Sequence, residues 1–351
     1  MKQFRTTVIR AGLGALYFSG AHVLLRPLFS GVGAVFMLHH VRPGRHDAFQ
    51  PNRHLEVTPD FLRTTLAHLK SQDIDIVTMD EVHDRLLNRK FERRFAAFTF
   101  DDGYRDNRDH ALPVMREFAA PFTVYVTSDF AEGCGRLWWV ALERTIAKAS
   151  TIETTIGGQA MRFDTTTPAG KRAAYDRVHD WLRSLQEHDL AREIGALCAR
   201  HEVDIAGICR DLCLSWDELK TFAADPLVSI GAHTITHCNL AQQSEDVARE
   251  ELTVSRARIE EKLQRQVLHL CYPYGDRLAA GRREFALASS AGYKTAVTTR
   301  PGMMFAESAG HLTALPRVSL NGNFQDAHVL PVLTSGAATA VWNGFRRVDA
   351  A

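Results

Sequence analysis

Residues 95–103 read Phe-Ala-Ala-Phe-Thr-Phe-Asp-Asp-Gly. An uncharged run stops abruptly on two carboxylates and a glycine. Such a run is a strand buried on both faces, as in a parallel sheet covered by helices. Adjacent carboxylates at the end of a buried strand are costly unless something pairs with them. Strand alternation would point them to opposite faces, but a glycine-assisted bend turns both into one pocket. One is then available to bind a metal while the other stays free as a base. The plainer reading is an exposed turn, where Asp and Gly are common.

Outward from this stretch, strand-like runs alternate with helical ones. Strands are expected at 32–38, 74–78, 122–126, 227–230, 267–272, 294–298 and 317–320. Helices are expected at 61–69 with Thr58 as N-cap, at 82–87 with Asp80 as cap, and at 111–118, 247–263 and 285–291. The alternation predicts parallel βαβ units. The implied class is α/β, a distorted (β/α) barrel of about seven strands. The polar clusters fall at C-terminal ends of predicted strands, where barrel enzymes place their chemistry. The rhythm breaks over about 131–214, which reads as a helical insertion over the barrel mouth. The expected organisation is an amphipathic helical segment at 1–30, the barrel at 31–330 and a tail at 331–351.

The chain has 351 residues, of which 45% are hydrophobic, enough for one large core. Lys plus Arg is 42 against 41 Asp plus Glu, so charge gives no reason to expect nucleic acid as a partner. Cys134, Cys198, Cys209, Cys213, Cys238 and Cys271 form no CxxC pair. They read as reduced thiols and favour a reducing, cytoplasmic compartment. At the N-terminus, Lys2, Arg5 and Arg10 precede an apolar stretch at 11–25, the charge order of a signal peptide. His22 and Arg26 interrupt it, and no small-residue cleavage site is evident. The segment reads as an amphipathic helix packed on the domain, in preference to one resting on a membrane face. Export stays open.

The segment 233–237 is His-Thr-Ile-Thr-His. Two histidines four apart suit one metal, but the β-branched spacer is poor for helix and lacks a glutamate base. The pair therefore belongs to a loop after the 227–230 strand. Asp102 completes a two-histidine, one-carboxylate set with open positions, a catalytic arrangement. Two surface histidines are the plainer alternative. Residues 271–275, Cys-Tyr-Pro-Tyr-Gly, form a turn of fixed shape that can aim a backbone N–H at a developing oxyanion. Trp138, Trp139 and Trp216 bracket the insertion and are candidates for stacking on sugar rings.

These segments together resemble the polysaccharide deacetylases (NodB-homology enzymes), from about residue 34 to about 320 outside the insertion. The resemblance implies Asp101 as catalytic base and Asp102, His233 and His237 as ligands of one divalent ion. It also implies the Tyr274 backbone amide as oxyanion donor. The Arg that usually opens the third motif is replaced by Cys271, and the late acid-bearing motifs have no match. The pattern is similar to the subgroup that deacetylates poly-N-acetylglucosamine, in which an early strand carries a Tyr-His pair. Met37-Leu38-His39-His40-Val41 stands there, making His39 the preferred acid and His40 its rival. As acid, His39 is expected to be charged, with a pKa at or above about 6.5. Arg317 is the candidate partner of Asp101, and reads equally as an exposed strand-end arginine.

The expected activity is hydrolysis of N-acetyl groups from an N-acetylglucosamine-containing glycan. Zinc is the first choice of ion, with cobalt, nickel or iron also suited to these ligands. The alternatives are an amidohydrolase acting on a small amide and a saccharide-binding module without catalysis.

Overall fold

The computed structural model describes residues 2–347. Seven parallel strands close into a ring: β1 (Gly33–Leu38), β2 (Phe95–Phe100), β3 (Phe122–Val126), β4 (Val228–Ala232), β5 (His269–Cys271), β6 (Thr295–Pro301) and β7 (Leu315–Ser319). Each pairs with the next in chain order, and β7 pairs back onto β1. A two-residue strand, Asp75–Ile76, pairs with the start of β2 outside the ring. The expected seven-stranded (β/α) barrel is therefore the fold.

Period-two alternation sorts the strand residues into two cores. Val35, Ala97, Tyr125, Cys271, Val297 and Leu315 fill the interior. Phe36, Phe98, Phe122, Val124, Leu270 and Val318 pack outward beneath the helices. Gly231 is needed because a methyl there would lie 2.5 Å from the Tyr125 ring. Helix Pro59–Ser71 is capped by Thr58, whose Oγ1 accepts from Phe61 N at 3.2 Å. Helix Met79–Asn88 begins earlier than expected. Its cap is Thr78, accepting from Glu81 N, and Asp80 lies in the first turn.

The insertion has its own core around Leu142, Tyr175, Val178 and Ile194. It contains helices Trp138–Lys148, Pro168–Arg183, Glu187–Arg200 and Ile205–Leu212, and also a hairpin, Thr151–Ile156 with Gln159–Asp164. The hairpin was not expected, although Ile152 and Ile156 alternate with polar residues and Gly157-Gly158 supplies two positive φ angles, 58° and 82°.

At the N-terminus the single expected helix is two, Lys2–Phe18 and Ala21–Phe29, meeting at 91° across Gly20. Residues 331–351 were expected as a tail. As far as 347 they hold part of helix Val329–Thr334 and all of Ala337–Trp342, and Leu13 packs among Val329, Val332 and Ala337. Among the described residues no single helix is long and apolar enough to cross a membrane. All six cysteines are free.

Candidate active site

Residues 35 and 37 on β1, and 97 and 99 on β2, share the interior parity, and the register pairs Met37 with Thr99. One step on, His39 and Asp101 leave the two strands side by side. His39 Nε2 lies 3.8 Å from Asp101 Oδ2. His40 has the opposite parity. It is buried, stacks on Tyr104 at 3.6 Å between ring centroids, and pairs through Nδ1 with Asp106 at 2.6 Å. The strand pleat thus separates the two histidines, and His39 is the one beside Asp101.

Arg317 points from β7 into the barrel and is completely enclosed. Nη1 and Nη2 each donate to one oxygen of Asp101 at 2.7 Å. Nε donates to Thr298 O at 2.8 Å, and the guanidinium also reaches Thr99 Oγ1 and Cys271 Sγ, each at 3.1 Å. A bidentate fork of this kind fixes both charge and orientation of the carboxylate. Arg317 is not an exposed strand-end arginine. It arrives beside Cys271, the position where the family pattern has arginine.

Asp102 turns away from the strand with φ 73°, which brings the second carboxylate into the same mouth as the first. Its Oδ1 lies 3.5 Å from His233 Nε2 and 3.3 Å from His237 Nε2. His233 Nδ1 donates to Cys271 O at 2.7 Å, so Nε2 is the nitrogen that faces Asp102. Asp102 Oδ1 is buried with no hydrogen-bond partner among the described residues. A buried carboxylate oxygen is not left bare without cost. Three converging ligand atoms around an unsatisfied oxygen fit one divalent ion. Asp101, His233 and Cys271 also cluster closely enough for a metal. There, however, the Arg317 guanidinium already occupies both Asp101 oxygens and touches the Cys271 sulfur, and a second cation beside it is repelled.

The loop that carries the histidines is held in an uncommon shape. Thr234 and His237 have φ of 66° and 65°. Glu251, buried on helix Glu245–Leu263, accepts from Ile235 N at 2.7 Å, Thr236 N at 3.0 Å and Thr236 Oγ1 at 2.8 Å. Three bonds to one carboxylate offset the strain of a β-branched residue in the left-handed region. Sequence reasoning missed Glu251, since a glutamate on a helix gives no sign that it faces inward. It also missed Phe130, and it named Trp139 and Tyr274 for other roles than as walls around His237. The His237 ring has Trp139 at 4.9 Å, Tyr274 at 5.1 Å and Phe130 at 5.8 Å between ring centroids.

Tyr274 also lies in the left-handed region, φ 61°, at the end of β5. Its amide has no acceptor among the described residues, as an oxyanion donor requires. Its hydroxyl accepts from Trp138 Nε1 at 2.9 Å. Trp138 and Trp139 are 3% and 6% exposed, so both act as wall and present no face for stacking on a sugar. Trp216 packs against the barrel's outer core.

Burial alone would raise the pKa of Asp101, but the Arg317 charge outweighs it and holds the group below the usual carboxylate range. Asp102 is likewise pushed up by burial and pulled further down by the two histidines, ending well below that range. Both are carboxylates at neutral pH. His39 differs from expectation. Burial lowers its pKa and the attraction of Asp101 and Asp102 does not restore it, so the resting imidazole is neutral near pH 7. The side chain is only 18% exposed, and water stabilises its charge too little.

A closed parallel barrel with a two-histidine, one-carboxylate donor set and a second, arginine-clamped carboxylate defines a hydrolase class. The family model described as polysaccharide deacetylase matches residues 88–296, and the chain belongs to that family, whose members deacetylate carbohydrates. No curated protein matches it in sequence. Among solved structures it is similar to the Streptococcus pyogenes deacetylase PplD in complex with acetate, at 18% identity and TM-score 0.56, over 83% of this chain and 92% of that one. It is also similar to IcaB from Ammonifex degensii, at 16% identity and TM-score 0.52, over 88% and 97%. The BpsB deacetylase domain from Bordetella bronchiseptica gives 15% identity and TM-score 0.50, over 82% and 94%. At these identities the likeness is one of fold.

Proposed function

We propose that the protein removes N-acetyl groups from an oligo- or polysaccharide containing N-acetylglucosamine, using one divalent ion, and releases acetate. The observation that carries this reading is the bare Asp102 oxygen between His233 and His237, directly beside a carboxylate held in an arginine fork.

Asp102, His233 and His237 would hold the ion, with zinc first by ligand type. When bound it supplies Lewis acidity to the acetamide carbonyl and to the attacking water. Asp101, oriented by Arg317, takes the proton from that water as it attacks. The Tyr274 amide donates to the oxygen that becomes negative. The C–N bond breaks only if the nitrogen leaves as an amine, which needs a proton. His39 rests neutral, so its proton comes from Asp101, 3.8 Å away, and passes to the nitrogen. One proton thus moves from water to leaving group across two side chains, leaving acetic acid and a free amine, which exchange the second proton in solution to give acetate and an ammonium group.

Acetate release from chitooligomers, with and without a chelator, tests the reading. Release that stops on chelation and returns with added zinc supports it. Release unaffected by chelation removes the metal. Asp101→Asn should keep the ion and lose turnover by about 10²–10⁴, and metal loss in that variant with retention in Asp102→Asn would reverse the two roles. No release from any acetylated saccharide, with binding intact, would favour a saccharide-binding module. Activity confined to small amides would favour the amidohydrolase.

A further inference from the structure

Helix Lys2–Phe18 is apolar on two sides. Ile9, Leu13 and Leu16 pack into the cluster with Val329 and Val332. Phe4, Val8, Ala11, Ala15 and Phe18 recur every three or four residues and form a second stripe that faces solvent. Phe4 is 75% exposed and Phe18 79%. Helix Ala21–Phe29 adds Val23, Leu24 and Leu28, and the C-terminal turns add Val341, Trp342 and Phe345, all exposed. The chain ends are joined. The Arg5 guanidinium lies 5.2 Å from the Trp342 ring centroid, and the Phe29 and Phe345 rings are 5.7 Å apart. Scattered exposed apolar residues are ordinary on a protein, whereas an apolar face built from three helices marks a contact surface.

Charge identifies the contact. The whole chain is balanced, 42 basic against 41 acidic residues. Residues 2–29 and 329–347 instead carry Lys2, Arg5, Arg10, Arg26, Arg346 and Arg347 with no Asp or Glu, and although Asp326 answers Arg10 at 3.6 Å, the excess is positive. A second copy would set like charge against like. An anionic bilayer offers both acyl chains and opposite charge, and Trp342 beside Arg5 suits the headgroup level. The 91° bend and the use of one side of the first helix by the core fit a helix pair lying on the surface. We propose that the two chain ends together form a docking face for the surface of an anionic lipid bilayer.

The test is sedimentation of the full chain with vesicles of phosphatidylcholine alone and of phosphatidylcholine mixed with phosphatidylglycerol. Pelleting with the mixed vesicles that weakens with salt is expected. Arg346→Glu/Arg347→Glu should lower partitioning by roughly 25-fold or more, about fivefold for each cation lost. Phe18→Glu/Leu24→Glu should abolish it, and both variants should melt within a few degrees of wild type, since the replaced side chains are exposed and Arg347 gives up only its stacking on Phe29 and Phe305. If the apolar variant misfolds, the arginine pair alone decides. Wild type that stays in the supernatant with mixed vesicles overturns the proposal, as do correctly folded variants that pellet like wild type. A dimer by light scattering that Phe18→Glu/Leu24→Glu dissociates would assign the face to a second copy and overturn it as well.

Discussion

Arg317→Met removes the charge from the barrel interior while keeping much of the side chain's length. Asp101 is 2% exposed and each of its oxygens is 2.7 Å from a guanidinium nitrogen. Removing one partner of such a pair costs about 3–5 kcal/mol, because the other charge is left buried and unpaired. Set against a total stability of about 5–15 kcal/mol, the melting temperature should fall on the order of 10 °C. The carboxyl can escape by taking a proton. In the native protein its pKa is lowered, so its stabilisation is present above the unfolded carboxylate value and is lost as pH falls through the folded one. In Arg317→Met the main opposition to burial is gone, only the weaker pull of His39 and His233 remains, and the pKa rises. The variant's deficit should then be smallest in acid, widen as pH rises from the native value toward the new one, and level off above it. The acid limb of kcat/KM should shift upward in parallel. Thermal melts over a pH series check the first point and a pH–rate profile the second. The double variant Arg317→Met/Asp101→Asn, which has no carboxylate left at position 101 to stand unpaired, should recover most of the lost stability. Equal, pH-independent deficits in single and double variants would mean that Arg317 is packing, and that the charge argument is wrong.

His39→Gln should slow amide hydrolysis by about 10²–10⁴ and do far less harm on an activated aryl acetate, whose leaving group needs no proton. Equal losses on both would move the proton carrier elsewhere. Because burial lowers the His39 pKa, the native profile should show no alkaline limb from this residue, only an acid one below about 6.5. Glu251→Gln should weaken metal affinity by roughly 10–100-fold while kcat at saturating metal stays near native, since Glu251 shapes the loop without touching the site. A metal titration that leaves affinity unchanged rules that out. The Arg105 hydrogen bond outweighs burial at Glu218 and lowers its pKa to about 2, so its contribution is full above the usual glutamate value and fades as pH falls toward 2. Solvent screens this surface pair, so Glu218→Gln should cost about 1 kcal/mol at neutral pH and almost nothing in strong acid, measured by urea unfolding.

Much of the barrel was legible because its strands are buried on both faces. Phe95–Phe100 and Phe122–Val126 are bounded in the structure where the apolar runs are bounded in the sequence. The proposed metal donors were legible because Asp102 and His233 follow strand ends directly, where polarity changes within one residue, and His237 lies in the loop that His233 opens. Local chemistry could not show how distant segments meet. Whether Arg317 was clamp or surface residue depended on β7 closing against β1, which no local pattern encodes. The choice between His39 and His40 needed the register with β2. The protonation of His39 depended on how much water reaches it. The hairpin at 151–164 was a misreading of available signals, since its alternation and paired glycines lay inside a stretch read as helical.

The closing strand has a consequence for when the site exists at all. Asp101 and Arg317 are 216 residues apart in sequence and meet only when the last strand seals the ring. During synthesis the proposed metal donors Asp102, His233 and His237 have all emerged well before Arg317. A nascent chain can therefore own all three candidate ligands yet lack the guanidinium that keeps Asp101 ionised and aimed. The segment 88–296 that carries the family match contains neither His39 nor Arg317. Expressed alone, it would hold the donors without the clamp or the proton carrier. On the proposed mechanism, chemistry waits for the seventh strand, and contacts between such distant segments are the slow ones to form.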